Sequence, residues 1–331
     1  MTKKNNNKTK NSKTTPNSNN NSKKFFISVF VLISVCLISF TALYFLFPPQ
    51  KKKLNDYTKQ KTQQKISAKK PVLYTHGKKA LKTNKDFLYE IYDKIEEKTL
   101  PDKKSDYKGL PKICIIIDDI GFDKKNAYEL ADLGINITLS VLPFTPYAKE
   151  IINNTSLPEV EFMLHIPMEP VEYPIIDPGQ GALLSSMDPD TIIFTLKNDL
   201  DSFPFIKGIN NHMGSKLTQN SDIMNQVFTI IKKRNLFFVD SLTNPNSKCI
   251  ESARMFKVDF AKRDIFLDNI QKVEYIEGQI KKLKIIAAQK GYSIGIGHPY
   301  DTTIKALKNN IYEIKKEFEF VKASSVVKQI Q

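Results

Sequence analysis

From Lys112 onward the chain repeats one pattern, a short run of β-branched or apolar residues followed by a longer stretch with apolar side chains at helical spacing. The short runs predict strands at 113–117, 137–142, 161–164, 206–210, 236–239, 258–261, 292–296 and 318–321. Helices are expected between them at 123–133, 145–153, 189–201, 221–234, 271–290 and 302–316, with a shorter one at 247–255. Alternation of this kind puts the strands in a parallel sheet, because each parallel crossover needs a helix-length connection. Seven or eight such units in about 220 residues predict an α/β fold, an irregular (β/α)7-8 barrel, ahead of an open doubly wound sheet. No glycine-rich phosphate loop follows the first strand, so nothing points to a nucleotide partner.

The pattern upstream is different. Residues 1–24 are Asn, Lys, Ser and Thr with seven lysines and no acid, too polar to bury a core, and are expected to be disordered. Phe25 to Phe47 is a run of 23 residues without a charge, enough to cross the hydrocarbon layer as a helix. It is longer than the apolar region of a cleaved signal peptide and ends in Tyr-Phe-Leu-Phe-Pro-Pro without a small-x-small site, which favours a retained transmembrane anchor. Lysines flank both sides, so charge orients the span only weakly, and a cytoplasmic N-terminus is the expectation. Residues 48–110 form a Lys-rich tether in which Phe87, Leu88, Ile91 and Ile95 share one helical face. The folded domain is thus expected at 111–331, outside the membrane.

Charge follows the same division. The formal net charge is +15, yet residues 111–331 hold 26 Lys and Arg against 27 Asp and Glu, leaving 24 against 8 in residues 1–110. A neutral domain without a basic-aromatic run excludes nucleic acid as the expected partner. The three cysteines, Cys36, Cys114 and Cys249, offer neither a disulfide framework nor a metal knuckle.

Candidate chemistry collects where the predicted strands end. Asp118 and Asp119 close the first strand, His165 the third, and Asn210, Asn211 and His212 the fourth. Asp240 closes the fifth, Arg263 and Asp264 follow the sixth, and His298 ends the seventh. In a parallel barrel all carboxyl strand ends open on one rim, so residues far apart in sequence meet there. The domain's three histidines all sit at such positions, and one aspartate with His165 and His212 supplies the His and carboxylate set that catalytic zinc needs. Of two adjacent carboxylates, one can be neutralised by the metal while its neighbour stays available as a base, although the pair could also cap the next helix.

Six ordered stretches carry a family resemblance: Ile-Ile-Ile-Asp-Asp-Ile-Gly (115–121), His-Ile-Pro-Met-Glu-Pro (165–170), Gly-Ile-Asn-Asn-His-Met-Gly-Ser (208–215), Phe-Phe-Val-Asp-Ser-Leu-Thr (237–243), Arg-Asp-Ile-Phe-Leu-Asp (263–268) and Gly-Ile-Gly-His-Pro (295–299). Together they resemble the divergent polysaccharide deacetylase family. Resemblance to the wider carbohydrate esterase superfamily implies a distorted barrel, a divalent metal, usually zinc, and hydrolysis of N-acetyl groups on aminosugar polymers. It implies Asp118 as base, Asp119 as metal ligand and His298 as general acid. The wider superfamily usually places its metal histidines four residues apart in one motif, whereas here they come from different strands.

The resulting expectation is a metal-dependent hydrolase removing acetyl groups from an envelope polysaccharide, with Asp119, His165 and His212 holding the ion. Asp240, Arg263 and Asp264 are expected to orient these groups, and Asn210, Asn211 and Glu169 to shape the rim. Two rivals stand beside it: an anchored protein that binds glycan or a protein partner through the same rim without turnover, and a hydrolase of another acyl or amide bond. Specificity is expected in the proline-rich loop 166–188.

Overall fold

A computed structural model describes residues 109–330. The stretch 1–24, the apolar span 25–47 and nearly all of the tether 48–110 lie outside the described residues, among which no helix is long and apolar enough to cross a membrane.

Strands β1 (Lys112–Ile120), β2 (Ile137–Val141), β3 (Val160–Met168), β4 (Gly208–Met213) and β5 (Phe237–Asp240) lie side by side and parallel. Helices α1 (Lys124–Ala131), α2 (Ala148–Asn154), α3 (Pro189–Asp201) and α4 (Ser221–Lys233) connect them. Three of these helices start on a side chain that satisfies their free N–H groups: Asp123, Asp188 and Asn220 accept from Asn126, Thr191 and Ile223. Helix α5 (Cys249–Phe256) then leads to β6 (Asp259–Lys262) and, two residues later, β7 (Ile265–Phe266). The rest of the chain is α6 (Val273–Lys290), β8 (Tyr292–Gly297), α7 (Asp301–Glu317), β9 (Glu319–Val321) and β10 (Lys328–Gln329).

The expected barrel requires two corrections. β6 pairs with β5 and β7 with β8, but no ladder joins β6 to β7, so the hydrogen-bonded sheet is a curled wall with an open seam. Its edges are held together by the chain itself. Arg263 N–H donates to the Asp240 carbonyl on one side, and Asp264 N–H donates to the Ile294 carbonyl on the other. The eighth expected strand also departs from the pattern, because β9 pairs only with the first residues of β1 and wedges into the base below the β1–β2 ladder. β7 and β10, two residues each, are too short to show as periodicity.

Packing divides the apolar residues by the two faces of each strand. The larger cluster fills the space between the wall and its helices. A smaller one, including Cys114, Ile116, Met163, Val239, Ala261, Ile294 and Ile296, fills the inside of the curl, and Val321, Ala323 and Val326 pack against it from the C-terminal segment. Gly208 serves this inner packing, since a Cβ there would lie 2.3 Å from the Phe237 ring.

One buried group is out of balance. Asp199 on α3 is fully buried, neither carboxylate oxygen has a hydrogen-bond partner, and burial pushes its pKa up to about 8. An unfolded aspartate titrates near 4, so between about pH 4 and pH 8 the folded chain keeps a proton that the unfolded chain has lost. Stability from this group is therefore full at low pH and declines as pH rises towards 8. Asp199→Asn is expected to remove most of that decline, so that its melting midpoint gains on the wild type by several degrees between pH 5 and pH 8; parallel pH dependences in the two proteins would contradict the assignment.

Candidate metal centre

The inner face of the wall changes character one rung above its apolar packing. On β1, Ile116 is followed two residues later by Asp118; on β3, Met163 by His165; on β4, Gly208 by Asn210 and then His212. Beyond β5 and β8 the same step carries Val239 to Ser241 and Ile296 to His298. The β3–β4 register sets His165 beside Asn210, so their side chains share one face.

Regular β geometry would send Asp118 and Asp119 to opposite faces. The β1–β2 register slips between Ile117 and Ile120, and Asp119 adopts φ 58°, a left-handed backbone that β strands do not use. This bulge turns both carboxylates to the mouth. It also leaves helix capping to Asp123, so the pair is not the cap.

Asp119, His165 and His212 converge tightly. Asp119 Oδ1 lies 2.9 Å from His212 Nδ1 and 3.3 Å from His165 Nε2, and the two nitrogens are 3.2 Å apart. Zinc bonds of about 2.0–2.1 Å imply ligand separations of roughly 3.3 Å along a tetrahedral edge, so the triangle is already close to the size that such an ion needs. Asp119 Oδ1 is moreover buried with no hydrogen-bond partner, which is the polar atom a cation would satisfy. Burial opposes ionisation of Asp119, and the two imidazoles outweigh it, holding its carboxyl well below the usual range.

Beneath the triangle sits Asn210, fully buried and saturated. Its Oδ1 lies 2.7 Å from His165 Nδ1 and accepts from Ser140 Oγ, while its Nδ2 donates to Asp118 Oδ1 at 2.8 Å and to Ser241 Oγ at 3.2 Å. A donor at His165 Nδ1 leaves Nε2 with the lone pair that a metal ligand requires. Asp118 Oδ2 is 3.6 Å from His165 Nε2. Burial raises the Asp118 pKa against the opposing pull of His165, His298 and Asn210.

On the other side His298 is held by a carboxylate. Asp268 Oδ1 lies 2.9 Å from His298 Nδ1, and Asp268 Oδ2 accepts from the His298 backbone N–H and from Thr303 Oγ1. This turns Nε2 toward the centre, 3.8 Å from Asp119 Oδ2, and Phe266 and Tyr300 flank the ring with centroids 5.4 Å away. Burial works against the charged imidazole, but Asp268, Asp119 and Asp118 outweigh it and lift the pKa to about 9. The whole group opens into a cleft of 620 Å³ whose walls include Asn211, Met213, Leu242, Arg263, Ile270 and Tyr300.

Five expected site residues, Asp118, Asp119, His165, His212 and His298, therefore meet at one mouth, and Asn211 and Arg263 line the cleft. Asn210 is a floor residue rather than part of the rim. Three others are elsewhere. Asp240 is one residue out of phase with the inner face and bonds Ser247 Oγ and the Leu242 N–H. Asp264 pairs with Lys290 and accepts from the Ile294 N–H, low on the wall. Glu169 is buried, pairs with Lys216 at 2.7 Å and accepts from the Ser185 N–H, so it pins the 170–187 loop. Asp268 was missed as a partner of His298, although it ends the Arg-Asp-Ile-Phe-Leu-Asp stretch; β7 is too short to advertise its end. Ser140 and Ser241 carry no signal that distinguishes them from other serines in a strand or loop.

A family model described as divergent polysaccharide deacetylase matches residues 115–327. The chain belongs to that family. This deacetylase-family chain is 32% identical over 220 residues to the uncharacterised protein YibQ of Escherichia coli K12, covering 66% of this chain and 68% of that one. An uncharacterised Haemophilus influenzae protein is 29% identical over 212 residues, covering 63% and 74%. The solved structure of uncharacterised protein ATU2773 from Agrobacterium tumefaciens C58 matches with a TM-score of 0.64 at 22% identity, over 68% of this chain and 93% of that one, a likeness of fold.

Metal analysis of the purified full-length protein should find about one divalent ion per chain, with zinc preferred by the ligand set. His165→Ala and His212→Ala should each lose most of it, and Asn210→Ala should weaken binding by about 10–100-fold. Undiminished metal in both histidine variants would remove the centre.

Proposed function

We propose that the domain is a metal-dependent hydrolase that removes acetyl groups from an aminosugar-containing polysaccharide of the cell envelope. Family membership supports the reaction class, and the observation that carries it is the opposed pair Asp118 and His298 across the Asp119, His165, His212 triangle. A divalent ion held by that triangle supplies, when bound, an acidified water and an electrophile for the carbonyl oxygen.

The chain's own groups do the rest. Asp118 commits Oδ1 to Asn210 and keeps Oδ2 to take the proton of the attacking water. Its burial favours the protonated form and so suits it to accept that proton. His298 delivers a proton from Nε2 to the departing amine, and Asp268 fixes the ring for that transfer by holding Nδ1. Arg263 donates to the carbonyls of Ser241 and Leu242 and stacks on Phe266, which braces the cleft wall against the acid. The apolar span at 25–47 would hold this domain at a membrane, facing the envelope.

Acetate release from N-acetylglucosamine oligomers or peptidoglycan fragments tests the reading with the full-length, metal-loaded protein. Asp118→Asn and His298→Gln should each lose about 10²–10⁴-fold in rate, Asp268→Asn about 10–100-fold, and a chelator should abolish turnover. Glycan binding without acetate release would instead support the non-catalytic rim, and unaltered rates in Asp118→Asn would end the hydrolytic mechanism.

A further inference from the structure

The end of the wall opposite the metal centre has a charge of its own. Lys207 precedes β4, Lys232 and Lys233 close α4, Lys257 precedes β6, and Lys328 lies on β10 beside the start of β6; all five are exposed. Lys232 Nζ donates to the Lys257 carbonyl at 2.6 Å, which ties two of these segments together. Two acids stand among them, Asp259 and Asp201, and Asp201 is taken by Arg234 at 2.6 Å. Helix ends explain part of the pattern, because Lys232 and Lys233 complement the carboxyl end of α4. Lys207 and Lys328 stand at strand ends, where no helix terminus calls for a cation.

The mouth has the other sign. The segment 170–190 after β3 carries Glu172, Asp177, Asp188 and Asp190, all exposed, and no lysine or arginine. The near balance of 26 Lys and Arg against 27 Asp and Glu in residues 111–331 conceals this asymmetry.

Two further observations say what the basic end meets. The chain enters the domain there: Leu110, 52% exposed, leads into the start of β1, so residues 1–108, with the uncharged run Phe25 to Phe47, are joined to this end and not to the mouth. Apolar side chains also project among the lysines. Phe205, two residues before Lys207, is 77% exposed, and Met255, two before Lys257, is 65% exposed. Ammonium groups with apolar side chains between them fit a layer of anionic headgroups over hydrocarbon, where the charges meet phosphate and the apolar groups sink to the interface.

We infer that this end of the domain rests on anionic phospholipid headgroups of the membrane that the 25–47 run would enter, with Lys207, Lys233 and Lys257 on phosphates and Phe205 and Met255 at the interface. The inference rests on the reading of that run as a membrane span. It also gives the metal centre a direction. β1 is nine residues long, so at about 3.3 Å per residue the mouth opens about 30 Å from the lipid, and its acidic loop faces away from the like-charged surface.

The test is amide hydrogen exchange on the full-length protein in detergent, in phosphatidylcholine vesicles, and in vesicles that also contain phosphatidylglycerol. Residues 203–208 and 254–259 should exchange several-fold more slowly on the anionic vesicles than on the neutral ones, and residues 266–271 at the mouth should not change. Salt at about 1 M, which cuts the Debye length to about 3 Å, should erase the difference. Combining Lys207→Gln, Lys233→Gln and Lys257→Gln should erase it too, at about fivefold in surface affinity per lysine, with the melting midpoint and bound metal unchanged. Equal exchange on the two kinds of vesicle, or protection that survives in the triple variant, would overturn the lipid contact while leaving the span standing. Protection already present in detergent would overturn it as well, in favour of a second copy where it grows with protein concentration and of the chain's own tether where it does not. Failure of the full-length protein to float with either kind of vesicle would instead sink the span itself, and this inference with it.

Discussion

The site depends on a defect in one strand. Two neighbouring aspartates cannot both face the inside of a regular β-strand, and the slipped register between Ile117 and Ile120 is what frees them from that rule. Asp119 takes the left-handed backbone and Gly121, two residues on, a conformation closed to other residues, so the strain is concentrated in one short turn. That turn brings the Asp118 and Asp119 carboxylates to the mouth and ties the loop after β1 to the loop after β2. Such strain persists only where surrounding structure over-determines it. Here the bonds from Asn210 to Asp118 and from Tyr147 to Gly121 hold the turn from either side.

Below it, the wall separates two kinds of interior by a single rung. Apolar residues fill the base of the curl, and the next inward positions are nearly all polar. Buried polar groups are tolerable when each finds a partner, and Asn210 meets that demand for four neighbours at once. One amide thereby sets the tautomer of His165 and the orientation of Asp118. The chemistry proposed for this domain needs both.

Much of this was legible from the chain. Strand and helix positions followed from periodicity, and the convergence of Asp119, His165 and His212 followed from the rule that parallel strands open on one rim. What periodicity could not supply was parity at the strand ends. Asp240 stands one residue from the inward-facing Val239 and so turns to the loop that holds Ser247, while Asp264 and Glu169 found Lys290 and Lys216 instead of the mouth. Asp268 was hidden for a related reason. A two-residue strand offers no alternation to count, so nothing in its composition marks where it stops or which way the next side chain points.

The open seam has a bearing on how this family can diversify. Arg263 and Asp264 tie the β5–β6 side of the wall to β8, and because the Arg263 side chain also borders the cleft, this part of the cleft wall belongs to a connection that carries none of Asp119, His165 and His212. Lengthening or shortening that link would reshape this side of the cleft while Asp119, His165 and His212, on other strands, stayed as they were.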